Sequence, residues 1–307
     1  MEPWFRQSVA VSPMHSLYVE RCGNKNGHPV IFLHGGPGSQ VNANHRRYFD
    51  PDFYDSVLFD QRGCGQSAPA GETRENTTQD LINDINTLRS VLDINGPMTL
   101  FGGSWGSTLA LAYAQQFPQN VQAMILRGIF LGTDDEVSWF TGGLKRFAPR
   151  AWQNMSEGMG QDLIEAYYQA VFDTNQSRAT EAALRWVEYE MQIMKIGSDA
   201  DGVSSLPESE TILNRARIHL HFIRHKFFLG DTDLLNSSEL LQIPVTIVQG
   251  EIDLVCPPIT AWQLSQRLPD ARLRLLGNAG HSGMADVMAC ALREEADALR
   301  DRLLIKN

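Results

Sequence analysis

Cysteine is scarce: Cys22, Cys64, Cys256 and Cys290 are the four in 307 residues, and no Cys-x-x-Cys spacing occurs among them. Neither a zinc site nor a redox pair is indicated, and the four read as reduced thiols. Basic residues are also in deficit, 26 Lys and Arg against 36 Asp and Glu, for a formal charge of -10. That balance excludes a dominant nucleic-acid or anionic-membrane partner, either of which needs a basic surface to displace counterions. No run of 18 apolar residues occurs, and the N-terminal Met1-Glu2-Pro3-Trp4-Phe5-Arg6-Gln7 lacks the basic stretch and apolar run of an export signal. A cytoplasmic protein is expected. Low-complexity tracts and internal repeats are absent as well.

What is present is the 43% hydrophobic and 20% charged composition of an ordinary folded chain. Its length suits one large core with an inserted or appended smaller domain. Short apolar runs bounded by turn residues mark buried strands at Val30–Leu33, Ser56–Phe59, Met98–Phe101 and Ala123–Leu126. Between the last three, helices are expected from Thr78 to Leu92, capped by Thr77 or Thr78, and from Trp105 to Phe117, stopped by Pro118. Strand signals return at Val245–Val248 and Leu273–Leu276, with helices near Thr260–Leu268 and Met284–Leu303. This alternation predicts an α/β fold with a mostly parallel, doubly wound sheet. From about Thr133 to Leu235 the periodicity is helical and aromatic-rich, so a helical cap is expected at 133–235, inserted into a core of 1–132 and 236–307. The cap carries more than half of the excess negative charge, which is read as a solvated acidic face, with a cationic ligand as the alternative.

Gly102-Gly103-Ser104-Trp105-Gly106 is the sharpest chemical signal, since it fits Gly-x-Ser-x-Gly between an expected strand and an expected helix. A nucleophilic serine on such an elbow sits in a strained turn that projects its hydroxyl from the sheet, and flanking glycines remove colliding side chains. His34-Gly35-Gly36-Pro37-Gly38 follows the strand ending at Leu33, where an α/β-hydrolase places its oxyanion loop; the amides of Gly36 and Trp105 are the expected donors. A serine hydroxyl needs a base, usually a histidine oriented by a carboxylate. His281 is the one histidine of eight in a loop after a late strand, and Glu251 or Asp253, after the strand at Val245–Val248, supplies the acid. The order serine, acid, histidine is that of the α/β-hydrolase fold. His219, His221 and His225 place two imidazoles on one helix face, but no third ligand suggests itself, so no metal is assigned.

These motifs, together with Asp60-Gln61-Arg62-Gly63-Cys64-Gly65-Gln66-Ser67 and Leu126-Arg127-Gly128-Ile129-Phe130, make the chain closely resemble the bacterial proline iminopeptidases over nearly its whole length. The resemblance implies a cofactor-independent serine peptidase that releases an N-terminal proline, and it selects Asp253 over Glu251 as the acid. Within the cap, Trp186-Val187-Glu188-Tyr189-Glu190 is similar to the family's Trp-Ser-x-Trp-Glu, which implies that Glu190 binds the substrate's free amino group. Phe130, Phe140 and Ile223 fall where the family lines its proline-ring pocket. One departure stands out: the family's second amine-binding glutamate is His219 here, in Ala216-Arg217-Ile218-His219, and a neutral imidazole is expected to accept the ammonium more weakly.

The expectation is therefore an aminopeptidase acting on a small peptide or aminoacyl substrate, proline preferred, through an acyl-enzyme on Ser104, without cofactor or metal. An esterase, lactonase or amidase of the same fold shares this machinery, because specificity resides in the cap. A non-catalytic binding protein would be expected to have lost one of Ser104, Asp253 and His281, and all three are present.

Overall fold

The computed structural model describes residues 1–197, 209–237 and 242–306; residues 198–208 of the expected cap, and 238–241 and 307 of the expected core, lie outside them. The chain opens with β1 (Phe5–Ala10), β2 (Ser16–Gly23), β3 (His28–Leu33) and β4 (Tyr54–Phe59). It continues through α1 (Thr78–Val91), β5 (Met98–Gly103), α2 (Trp105–Gln116) and β6 (Val121–Arg127). Five helices follow: α3 (Asp134–Thr141), α4 (Pro149–Ser156), α5 (Leu163–Val171), α6 (Gln176–Met194) and α7 (Ser209–Arg224). The chain then re-enters the sheet with β7 (Val245–Gly250), α8 (Pro258–Arg267), β8 (Ala271–Leu276) and α9 (Asp286–Lys306).

The eight strands form one sheet in the order β1-β2-β4-β3-β5-β6-β7-β8. It is parallel from β4 to β8 and antiparallel at β1/β2 and β2/β4. The apolar runs became central strands because both their faces are covered. Ile31 and Leu33, Leu100, Met124 and Leu126 pack toward α1 and α2, while Val30 and Phe32, Phe101, Ala123 and Ile125 pack toward α9. That period of two is the pleat itself. Every strand expected from sequence is present, within three residues at each end. The N-terminal pair β1 and β2 was not anticipated, because β1 is an edge strand whose polar Arg6, Gln7 and Ser8 face solvent and leave no apolar run to read.

Helix ends follow local chemistry. Thr77 caps α1 by accepting from the Asp80 amide while the Asp80 carboxylate accepts from Thr77 N–H, a reciprocal pair at the positive end of the helix. Among the described residues no helix is long and apolar enough to cross a membrane. Helices α5, α6 and α7 pack on one another above the carboxyl ends of the parallel strands, around buried Tyr167, Trp186 and Phe222. Ligands in open α/β sheets bind outside those strand ends, so the sheet delivers its loops to one crevice that these helices roof.

Candidate active site

Ser104 stands at the junction of β5 and α2 with φ 57° and ψ -127°, a backbone conformation that costs a non-glycine residue about 1–3 kcal/mol. The turn is this tight because the β5–α2 crossing admits no side chains. A Cβ on Gly102 would strike the Gly106 carbonyl, and one on Gly106 would strike the Leu33 carbonyl of β3. The serine amide donates to the Arg127 carbonyl at the end of β6 (3.0 Å), and the hydroxyl lies 4.0 Å from the buried Cys256 sulfur. Burial raises that thiol well above its ordinary range, and Asp253 and Glu136 push it the same way, so Cys256 is a protonated floor beneath the serine.

The loop after β7 brings Asp253, 1% exposed, to the loop after β8. Its Oδ2 accepts from His281 Nδ1 at 2.8 Å, and its Oδ1 accepts from the amides of Val255 and Cys256 at 2.9 Å each. Gln249 Nε2 adds a donor to Oδ2 at 3.3 Å. An acceptor-only carboxylate so surrounded fixes the proton on His281 Nδ1 and leaves Nε2 free as a base. Glu251 is exposed and takes no part in this arrangement. The pair needs Gly128 at the end of β6: its φ is +52°, and a Cβ there would lie 3.1 Å from the imidazole Cε1 and 3.4 Å from Asp253 Oδ2.

The His34–Gly38 loop is clamped to the elbow by residues from the segment after β4. Trp105 Nε1 donates to Gln61 Oε1 (2.9 Å), Gln61 Nε2 donates to the His34 carbonyl (2.9 Å), and the Gln61 amide donates to His34 Nε2 (3.0 Å). His34 closes the set by donating from Nδ1 to the Gly35 carbonyl (2.9 Å). Burial depresses its pKa to about 4, so it stays neutral and keeps Nε2 as an acceptor. The Arg62 guanidinium makes a two-pronged pair with buried Asp84 of α1 at 2.7 Å on both arms, anchoring the same segment from behind.

Two cavities meet at Ser104. The inner one, of about 50 Å³, brings together Phe130, Phe140, Ile223, Glu190, His219 and Gly36. All five substrate residues suggested by resemblance thus share a wall with the serine. The outer one, of about 290 Å³, runs from Ser104 and His281 past the His34–Gly38 loop to Met191 and Arg215. Glu190 borders both. Burial alone would raise its carboxyl, but Arg215, whose Nη2 donates to Oε2 at 2.9 Å, outweighs this and holds it below the usual range. The structure revises the expectation for His219. Its Nδ1 accepts from Trp186 Nε1 at 3.2 Å, so the one acceptor of the neutral ring is already engaged. Burial, and then Arg215, outweigh the attraction of Glu190 and keep its pKa below the ordinary histidine value.

Three side chains of the site escaped the sequence reading. Arg215 lies one helical turn before His219 on α7, an i, i+4 relation that could have flagged a charge beside the expected amine site. Glu136 lines the inner cavity but is spent at the start of α3, where it accepts from Thr133 and Leu131; Thr133-x-x-Glu136 is a legible capping box. Phe227, at a left-handed φ of 54°, stacks on Trp105 at 5.7 Å and meets Phe130 edge-on at 4.9 Å, and no sequence signal announces that turn. His221 of α7 and His225 just after it serve the fold: His221 bonds the Asn76 carbonyl through Nε2 (2.9 Å), and His225 bonds the His221 carbonyl through Nδ1 (2.8 Å).

A family model for the alpha/beta hydrolase fold matches residues 28–286. A proline iminopeptidase of Arabidopsis thaliana is 42% identical over 92% of this chain and 76% of its own length. One from Neisseria gonorrhoeae is 39% identical over 99% and 98%. Among solved structures, an alpha/beta fold family hydrolase from Bacillus anthracis superposes with a TM-score of 0.66 at 19% identity, covering 96% of this chain and all of that one.

Proposed function

The chain belongs to the proline iminopeptidases of the α/β-hydrolase fold, and from that membership we propose that it releases N-terminal proline from small peptides with Ser104, His281 and Asp253 as its catalytic residues. The observation that carries the residue assignment is the 2.8 Å bond from His281 Nδ1 to a fully satisfied Asp253, in loops that border the two cavities meeting at the strained Ser104. In the proposed sequence Ser104 Oγ attacks the scissile carbonyl as His281 Nε2 takes its proton. The oxyanion lies between the amides of Gly36 and Trp105, each supplying about 3 kcal/mol. The imidazolium returns the proton to the leaving amine, and water then resolves the acyl-enzyme by the same route. Residues 133–235 act as a cap that closes the amino side of the substrate and so limits cleavage to the first residue. A cytoplasmic setting is supported by four unpaired cysteines.

Phe130, Phe140 and Ile223 suit an apolar ring, and Glu190 suits the ammonium beside it, because among the described residues Arg215 holds one carboxylate oxygen and the other remains for the substrate. Glu190→Gln should lower kcat/KM on proline arylamide by about 10- to 150-fold, the value of a charge-assisted hydrogen bond, and barely alter hydrolysis of an ester without an amine. Equal losses on both would show that Glu190 serves the fold alone. His219 makes a second, pH-dependent prediction. Since burial pushes its protonation below the ordinary value of about 6.5, the amine substrate and the amine-free ester should lose kcat/KM nearly in parallel in the interval above pH 6.5. A steeper fall for the amine substrate in that interval, abolished by His219→Gln, would contradict this. The direct test of the whole reading is a panel of aminoacyl arylamides with N-blocked proline arylamide as control: the unblocked proline arylamide should be turned over fastest and the blocked form negligibly.

A further inference from the structure

An ammonium anchored at Glu190 with its carbonyl at Ser104 leaves one direction for the rest of the peptide, the outer cavity of about 290 Å³. Its size is at the lower end of small-molecule sites. Among the described residues three charged side chains border it: Glu190, Arg127 and Arg215. His34 and His45, also on its wall, are held neutral because burial pushes them to about 4 and about 3. The described wall of the cavity outside the amine site is therefore net cationic, in a chain whose overall charge is -10.

The two guanidiniums are not equivalent. Arg127 donates to the His281 carbonyl at 2.7 Å and is wedged so closely that a Cβ on Gly103 or Gly283 would touch its Nε, which commits it to holding the histidine loop. Arg215 has one hydrogen-bonded partner among the described residues, Glu190, through Nη2; its buried Nε has none, and its side chain is 19% exposed. A planar fork with donors to spare, oriented by a carboxylate on the far side of the scissile bond, is the geometry that suits a second carboxylate.

Resting on the aminopeptidase reading, we propose that Arg215 is a specificity residue that binds the free α-carboxylate of the leaving residue, so that the favoured substrates are dipeptides with proline first. In a dipeptide that carboxylate lies about one residue, roughly 3.8 Å, beyond the scissile bond, where every longer peptide presents a neutral amide. Discrimination follows because the amide offers Arg215 no charge.

The test compares Pro-Ala with Pro-Ala amide, which differ only in that group. Wild-type kcat/KM should be about 10- to 100-fold higher for the acid, the range of a charge-assisted hydrogen bond. Arg215→Met should bring the ratio toward one, and Arg215→Lys, a point charge without the fork, should leave an intermediate ratio. A wild-type ratio near one, or a preference undiminished in Arg215→Met, overturns the assignment. Should Arg215→Met be insoluble or inactive on both, Arg215→Lys decides: a ratio lowered about threefold or more supports the proposal, and an unchanged one rejects it. Proline arylamide has no carboxylate and reads the aminopeptidase activity alone. Its hydrolysis with equal rates on acid and amide would sink Arg215 as the reader and leave the parent activity standing.

Discussion

Ser104→Ala should lose roughly four to six orders of magnitude in kcat on proline arylamide, about 5–8 kcal/mol of transition-state stabilisation, while folding normally. The loss is this large because no other group can form the acyl bond; the amides of Gly36 and Trp105 and the amine site would support only the residual reaction with water. Cys256 cannot substitute, since its thiol is held protonated by burial. A fluorophosphonate should label the wild type once, at Ser104, and labelling of another serine in stoichiometric amount would refute the assignment. The strained backbone adds a stability readout. With φ at 57° and ψ at -127°, glycine relieves strain that alanine keeps, so Ser104→Gly should unfold at a higher temperature than Ser104→Ala although both are inactive. Equal melting temperatures would mean that the elbow stores no such strain.

Asp253→Asn should cost about 10⁴ in kcat, and His281→Ala at least as much. An asparagine amide facing Nδ1 donates where the carboxylate accepted, which drives the imidazole proton to Nε2 and leaves Ser104 without a base. The backbone amides of Val255 and Cys256 can still bond the asparagine oxygen, so the loop should survive and unfolding should shift little. Glu251→Gln is the paired control. Its side chain is exposed and away from the imidazole, and its kcat should stay within about twofold of wild type, because surface substitutions away from such features are usually nearly neutral. The opposite pattern, a mild Asp253→Asn and a damaging Glu251→Gln, would transfer the acid role to Glu251.

Much of this was legible before any coordinates. The sheet could be read because its central strands are buried on both faces and so appear as unbroken apolar runs, while β1, exposed along one side, left no such trace. The Ser104 elbow could be read because it is a local structure, a strand, a turn and a helix within twenty residues, whose glycines are required by contacts at Gly106 and Leu33. The segment Asp60–Ser67 was visible as a motif, but its work was not. Gln61 clamps the His34 loop to Trp105 and Arg62 ties to Asp84, and all three partners lie more than twenty residues away.

The sequence by itself determined the α/β-hydrolase architecture, the family and the order of the residues available for catalysis, because these depend on periodicity, on turn chemistry and on motifs shorter than one element. Only the tertiary structure decided which charges face one another. It put Arg215 on Glu190, engaged the acceptor of His219 with Trp186 and left Glu251 in solvent. The first two of those choices rest on how α6 and α7 pack over the strand ends, and hydrogen-bond partners brought together across such a packing leave no spacing rule in the chain.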